Sequence, residues 1–99
     1  MVQKDYNLTD KLVFVMGGGK FGTNALKYMQ DRGAKVVVAD VNPECLASSE
    51  VDFVSDKLNV FASLESGQSA LVIGDAVELL LSALKQRSLD LIVTAIQGN

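Results

Sequence analysis

Ninety-nine residues make one small domain, with room for a single hydrophobic core but short for the roughly six strands of a complete dinucleotide-binding sheet. A net charge of −3, a pI near 4.7 and nine scattered Lys and Arg residues give no long-range attraction to nucleic acid or anionic lipid. No stretch reaches the ~20 apolar residues of a membrane span, and the N-terminus lacks an apolar signal core, so a cytoplasmic chain without direct membrane insertion is expected. With no histidine and a single Cys45, the sequence provides neither an internal disulfide nor a metal site.

Residues 1–11 are polar around Tyr6 and Leu8 and read as a lead-in that covers the bottom of the first strand. Leu12-Val13-Phe14-Val15-Met16 then runs into Gly17-Gly18-Gly19-Lys20-Phe21-Gly22. An apolar, β-branched run followed by glycines and a helical pattern is how a buried parallel strand enters a phosphate-binding turn. Gly17, Gly19 and Gly22 fall on the G-x-G-x-x-G spacing: the first suits a tight turn, the second a close backbone approach to pyrophosphate, the third close packing of helix on strand. Lys20 lies inside the turn, where it either meets a phosphate or is solvated. The following helix is expected from Gly22 to about Arg32, with Phe21, Ala25, Tyr28 and Met29 as its apolar side and Gly33 just past its end.

A second strand spans Lys35–Asp40, and Asp40 follows Gly22 by 18 residues. A carboxylate there can accept hydrogen bonds from the adenosine ribose hydroxyls and repel the 2′-phosphate of NADP. Val41 and Asn42 come next, with no arginine to receive that phosphate, so the pattern favours NAD or NADH over NADP. Other adenine nucleotides, ATP or AMP, would present the same ribose.

Asn42-Pro43-Glu44 reads as a helix start with Asn42 as cap and Pro43 at the first position. Cys45, Leu46, Ala47 and Val51 would form its apolar side. Between 52 and 69, Asp52–Ser55 and Asn59–Ala62 read as short extended pieces, whereas Asp56–Leu64 equally fits a helical turn. Ala70–Ile73 suits a third strand. It ends at Gly74-Asp75-Ala76, where a helix begins with Val77, Leu80, Leu81 and Leu84 as its apolar face and with Asp75 and Glu78 at capping-box spacing. Asp90–Ile96 makes a fourth strand, and Gln97 opens another loop.

Alternating strands and helices predict an α/β, Rossmann-like parallel sheet of about four strands in the order 3-2-1-4, with helices on both faces. Gly17–Gly22, Asp40 with Val41, Gly74-Asp75 and Thr94-Ala95 then share one edge, where a cofactor crevice belongs. The apolar edge of the fourth strand invites pairing with another chain. A homodimer or a partial dinucleotide-binding domain of a longer protein is therefore expected.

On these segments the chain resembles the NAD-binding domain of Trk-type potassium-uptake regulators, the KTN or RCK nucleotide-binding domain. The resemblance rests on Gly17–Gly22, Val38-Ala39-Asp40, Gly74-Asp75-Ala76 and Asp90–Ala95. It implies that Asp40 holds the adenosine ribose, that Gly74 and Asp75 lie near the adenine, and that Thr94 and Ala95 lie beside the cofactor. The implied function is a non-catalytic NAD(H)-binding regulatory module serving a membrane transporter or a further C-terminal domain. The segment between Asp40 and Gly74 is longer than that family usually has. The first half is also similar to the NAD-dependent precorrin-2 dehydrogenase domain of sirohaem synthesis, on Asp5–Leu12, Gly17–Lys20 and Gly33–Val38. That resemblance implies a nucleotide-binding fragment of an oxidoreductase, but Thr94-Ala95-Ile96-Gln97 stands where that family carries its acidic residue.

Overall fold

The computed structural model describes residues 7–95. Five strands, β1 (Leu12–Met16), β2 (Lys35–Asp40), β3 (Phe53–Ser55), β4 (Ser69–Ile73) and β5 (Leu91–Thr94), form one parallel sheet in the order β3-β4-β2-β1-β5. The four expected strands thus keep their expected order. Phe53–Ser55 adds a short fifth strand outside Ala70–Ile73, a position that the ambiguous 52–69 stretch left open. Val13–Val15 and Val36–Ala39 are fully buried. That burial explains their continuous apolar run: the central strands of a parallel sheet are covered on both faces.

The pleat divides the core in two. Phe14, Val37, Ala39 and Val72 point to the face covered by α2 (Ala76–Gln86), while Val13, Val15, Val36, Val38 and Leu71 point to the face covered by α1 (Lys20–Asp31). Leu8 packs on the α1 face; Tyr6, Ile96 and Gln97 lie outside the described residues. Gly33, at φ +91°, ends α1 in a Schellman motif: its N–H donates to the Gln30 carbonyl and the Ala34 N–H donates to that of Met29.

Three local expectations are corrected. On α1 the inward side is Gly22, Thr23 and Leu26 with Met29 beside them, whereas Phe21 and Tyr28 are exposed. The reason is that α1 starts at Lys20, two residues early, and Gly22 is the residue pressed on β1. The helix expected from Pro43 is only a 3₁₀ turn at Leu46–Ser49; the Asn42 carboxamide oxygen accepts from the Glu44 N–H, but the chain does not coil until Leu46, which is itself exposed. On α2 the sheet-facing side chains are Ala76, Leu79, Leu80 and Ala83; of the expected face only Leu80 turns inward, while Val77, Leu81 and Leu84 remain exposed. Small residues let the helix sit close to the sheet. A second 3₁₀ turn, Leu58–Ser63, buries Leu58 and Phe61 beside α2, with the Arg87 guanidinium 5.4 Å from the Phe61 ring centre.

Candidate functional site

A cleft of about 490 Å³ opens at the carboxyl ends of the strands. Four separate segments wall it: Gly17 and Gly19 to Phe21 after β1, Ala39 to Val41 at the end of β2, Asp75 and Ala76 at the start of α2, and Ala95 after β5. Topology puts it there. From β1 the chain winds to β2 on one side, whereas β5 returns to the other side of β1, and the loops leaving these strands diverge to leave a crevice.

The glycine turn is built by mutual contacts. Gly17 adopts φ +106° and donates its N–H to the Ala39 carbonyl at 2.8 Å, tying the turn to β2. Gly18 is buried; its N–H donates to Asp40 Oδ2 at 2.8 Å, and a Cβ on it would lie 2.6 Å from Cys45 Sγ. A Cβ on Gly22 would lie 1.7 Å from the Gly17 carbonyl oxygen, so the backbone itself requires glycine at position 22, whereas at position 18 the Cys45 side chain would have to move. Gly19 differs. A Cβ there would meet nothing within 4 Å, and its backbone (φ −79°, ψ −154°) suits other residues. The open space above Gly19 is the cleft.

The two helices that begin at the cleft are capped differently. Asp75 caps α2, accepting from the Glu78 N–H at 2.9 Å, and Glu78 adds negative charge in the first turn. At the start of α1, Gly19 supplies no side-chain cap and the first turn holds no acidic residue. The backbone N–H groups there carry partial positive charge that no carboxylate of α1 offsets, and Lys20 at the cleft wall adds a cation. That end of the cleft is suited to an anion.

Asp40 sits half-buried at the cleft wall beside the glycine turn. Besides receiving the Gly18 N–H on Oδ2, it receives the Asn42 N–H on Oδ1 at 2.9 Å, so its carboxylate fixes both loops while each oxygen keeps a further acceptor site. Cys45 lies beneath the turn. Its burial, and secondarily the Asp40 charge, push its thiol pKa up.

Of the residues singled out in the sequence, Gly17, Gly19, Lys20, Phe21, Asp40, Val41, Asp75 and Ala95 converge on the cleft. Gly18 and Gly22 lie behind it in the turn. Gly74 bonds its N–H to the Asp40 carbonyl and packs on Leu79, and Thr94 is exposed at the end of β5 without lining the cleft. Ala39 and Ala76 also line it. Both stand in the motifs quoted from the sequence, Val38-Ala39-Asp40 and Gly74-Asp75-Ala76, without a role assigned to them there; the available signal was their small size next to an acidic residue.

The fold and its cleft define a Rossmann-like α/β protein with an open site at the strand ends. Within that class, the chain belongs to the family described as "Uncharacterized protein, N-terminal domain", whose model matches residues 12–95. An uncharacterized protein of Archaeoglobus fulgidus is 37% identical over 71 residues, covering 72% of this chain and 31% of the relative. The chain therefore spans about a third of the length of that curated relative. No solved structure matches.

Proposed function

We propose that the chain is a non-catalytic NAD(H)-binding module of the KTN type, in which nucleotide binding biases a partner domain or a cation-uptake system. The observation that carries this reading is Gly19. Neither sterics nor backbone conformation demands glycine there, yet a side chain would project into the cleft beside an uncapped helix end. A ligand whose phosphates approach the backbone accounts for that missing side chain. In the bound arrangement the N-terminus of α1 and Lys20 hold the pyrophosphate, the remaining lone pairs of Asp40 take the ribose hydroxyls, and the Asp40 charge disfavours a 2′-phosphate.

The cofactor would supply redox state as a signal, and regulation requires unequal affinity for its two forms. A dehydrogenase reading gains nothing from the cleft. Asp40 and Asp75, the two carboxylates at the cleft, are both engaged as acceptors for backbone N–H groups that hold a loop or cap a helix.

Calorimetric titration with NAD, NADH, NADP and ATP tests the reading, on wild type and Gly19→Val. Asp40→Ala is the poorer probe because it also strips the Gly18 and Asn42 N–H groups of their acceptor. Binding of NAD or NADH in preference to NADP, weakened at least ~10-fold by a branched side chain at position 19 without loss of fold, is expected. Absence of binding by all four nucleotides, or equal binding by the variant, would sink the proposal.

A further inference from the structure

The helix α2 is apolar around far more of its circumference than the sheet covers. Ala76, Leu79, Leu80 and Ala83 meet the core, but Val77, Leu81 and Leu84 are 51%, 55% and 47% exposed. Their spacing of four and then three residues sets them in one narrow stripe along the helix. Single exposed leucines need no explanation, but a continuous seam of three on an 11-residue helix does.

The charges beside the seam select its occupant. Glu78 and Lys85 are seven residues apart, so they lie on the same flank of the stripe, one near each end. Among the described residues neither has an ion-pair partner within the chain. Laid antiparallel about a two-fold axis at Leu81, two copies of α2 put Leu81 against Leu81 and Val77 against Leu84. The same operation sets each Glu78 beside the other copy's Lys85, forming two equivalent pairs. In parallel register, by contrast, the two-fold runs along the helices and carries this flank to opposite sides of the seam, so neither Glu78 nor Lys85 gains a partner across it.

We infer that the outer face of α2 is a self-complementary dimer surface, and that its occupant is α2 of a second copy packed antiparallel. An interface closed by a two-fold uses the same patch on both partners, which is what this pattern provides. Two helices of roughly 16 Å each bury less than the ~800 Å² per partner of a standard stable interface, so a weak, concentration-dependent dimer is expected. The inference is independent of the nucleotide reading.

Sedimentation velocity of the 99-residue chain over about two decades of concentration should show a reversible monomer–dimer equilibrium. Single reversals Glu78→Lys or Lys85→Glu, which are exposed and leave the fold intact by circular dichroism, should each weaken the dimer ~10-fold through like-charge contacts. The double reversal should restore it. In a Cys45→Ala background, Leu81→Cys should cross-link on mild oxidation, since the two-fold places that position against itself. A monomer at every concentration overturns the inference, including the case in which another segment of a longer protein covers the stripe. A dimer that ignores the charge reversals and does not cross-link through position 81 overturns it as well, in favour of the free edge of β5.

Discussion

Replacing Gly22 by alanine tests how the turn holds the fold. The added methyl carbon would stand 1.7 Å from the Gly17 carbonyl oxygen and 2.8 Å from its carbonyl carbon, against a tolerable approach of 3.0 Å. Backbone cannot rotate away as a side-chain end can, so either the turn retreats by about 1.3 Å or α1 lifts from β1. Retreat also threatens the 2.8 Å bond from Gly17 N–H to Ala39. Overpacking of this kind costs ~1–3 kcal/mol, and a compromised buried hydrogen bond adds ~1 kcal/mol, which gives a loss near 3 kcal/mol. For a domain of this size that is a large part of the ~5–15 kcal/mol available. Urea unfolding followed by far-ultraviolet circular dichroism reads it, since the chain has no tryptophan. With a slope near ~1.5 kcal/mol per molar, the midpoint falls by ~2 M. Gly19→Ala is the matched control. Its methyl meets nothing; loss of unfolded-chain entropy favours the variant by ~0.4–1 kcal/mol, while alanine is the poorer N-cap by a comparable amount, so stability stays within ~0.5 kcal/mol of wild type. A loss below ~1 kcal/mol for Gly22→Ala, or a larger loss at Gly19 than at Gly22, would refute the steric reasoning.

Asp75→Ala removes the acceptor of the Glu78 N–H and should cost ~0.5–2 kcal/mol in the same unfolding experiment, with Asp75→Ser recovering most of it as an alternative cap. Cys45 provides a pH test. Burial and the neighbouring Asp40 raise its thiol pKa in the native state, so the unfolded chain loses that proton at lower pH than the folded one. The stability this represents is fully present below the ordinary thiol pKa and is lost as pH rises through the raised native value. The difference between wild type and Cys45→Ala should therefore fall with rising pH only in that alkaline window, and native-state alkylation by iodoacetamide at neutral pH should be slower than that of a free thiol. A pH-independent difference, or fast alkylation in the folded chain, would remove burial as the cause.

The parts of this molecule that could be read from sequence are those whose physics is local or doubly buried. Val13–Val15 and Val36–Ala39 announce central parallel strands because both of their faces are covered, and Gly33 announces a helix end because few other residues accept φ +91°. Gly17, Gly19 and Gly22 carry the turn in their spacing, yet their spacing does not separate the two reasons for glycine. Gly22 is excluded from change by the protein's own backbone, whereas Gly19 faces open space. Phe53–Ser55 was obscure because an edge strand of three residues with two exposed side chains lacks the alternation that marks a half-buried strand.

The faces of the helices misled for a related reason. Hydrophobicity alone points Phe21 and Leu81 inward, since periodicity weights large residues most. Close packing reverses that choice. Gly22 lets α1 approach β1, and Ala76 and Ala83 let α2 approach the sheet, so the buried side of each helix runs through its small residues, with Leu26 on α1 and Leu79 and Leu80 on α2 filling the space beside them. Phe21 thereby stands at the wall of the cleft and Leu81 at the centre of the α2 seam. Because α2 also begins in the cleft wall at Asp75 and Ala76, a single helix spans the distance between the proposed ligand and the proposed partner. If both proposals hold, thermodynamic linkage requires that any change in dimer affinity caused by NAD or NADH equal the change in nucleotide affinity caused by dimerisation. Titrations below and above the dimerisation midpoint measure that reciprocity. Equal nucleotide affinities in monomer and dimer would mean that α2 carries no coupling between them.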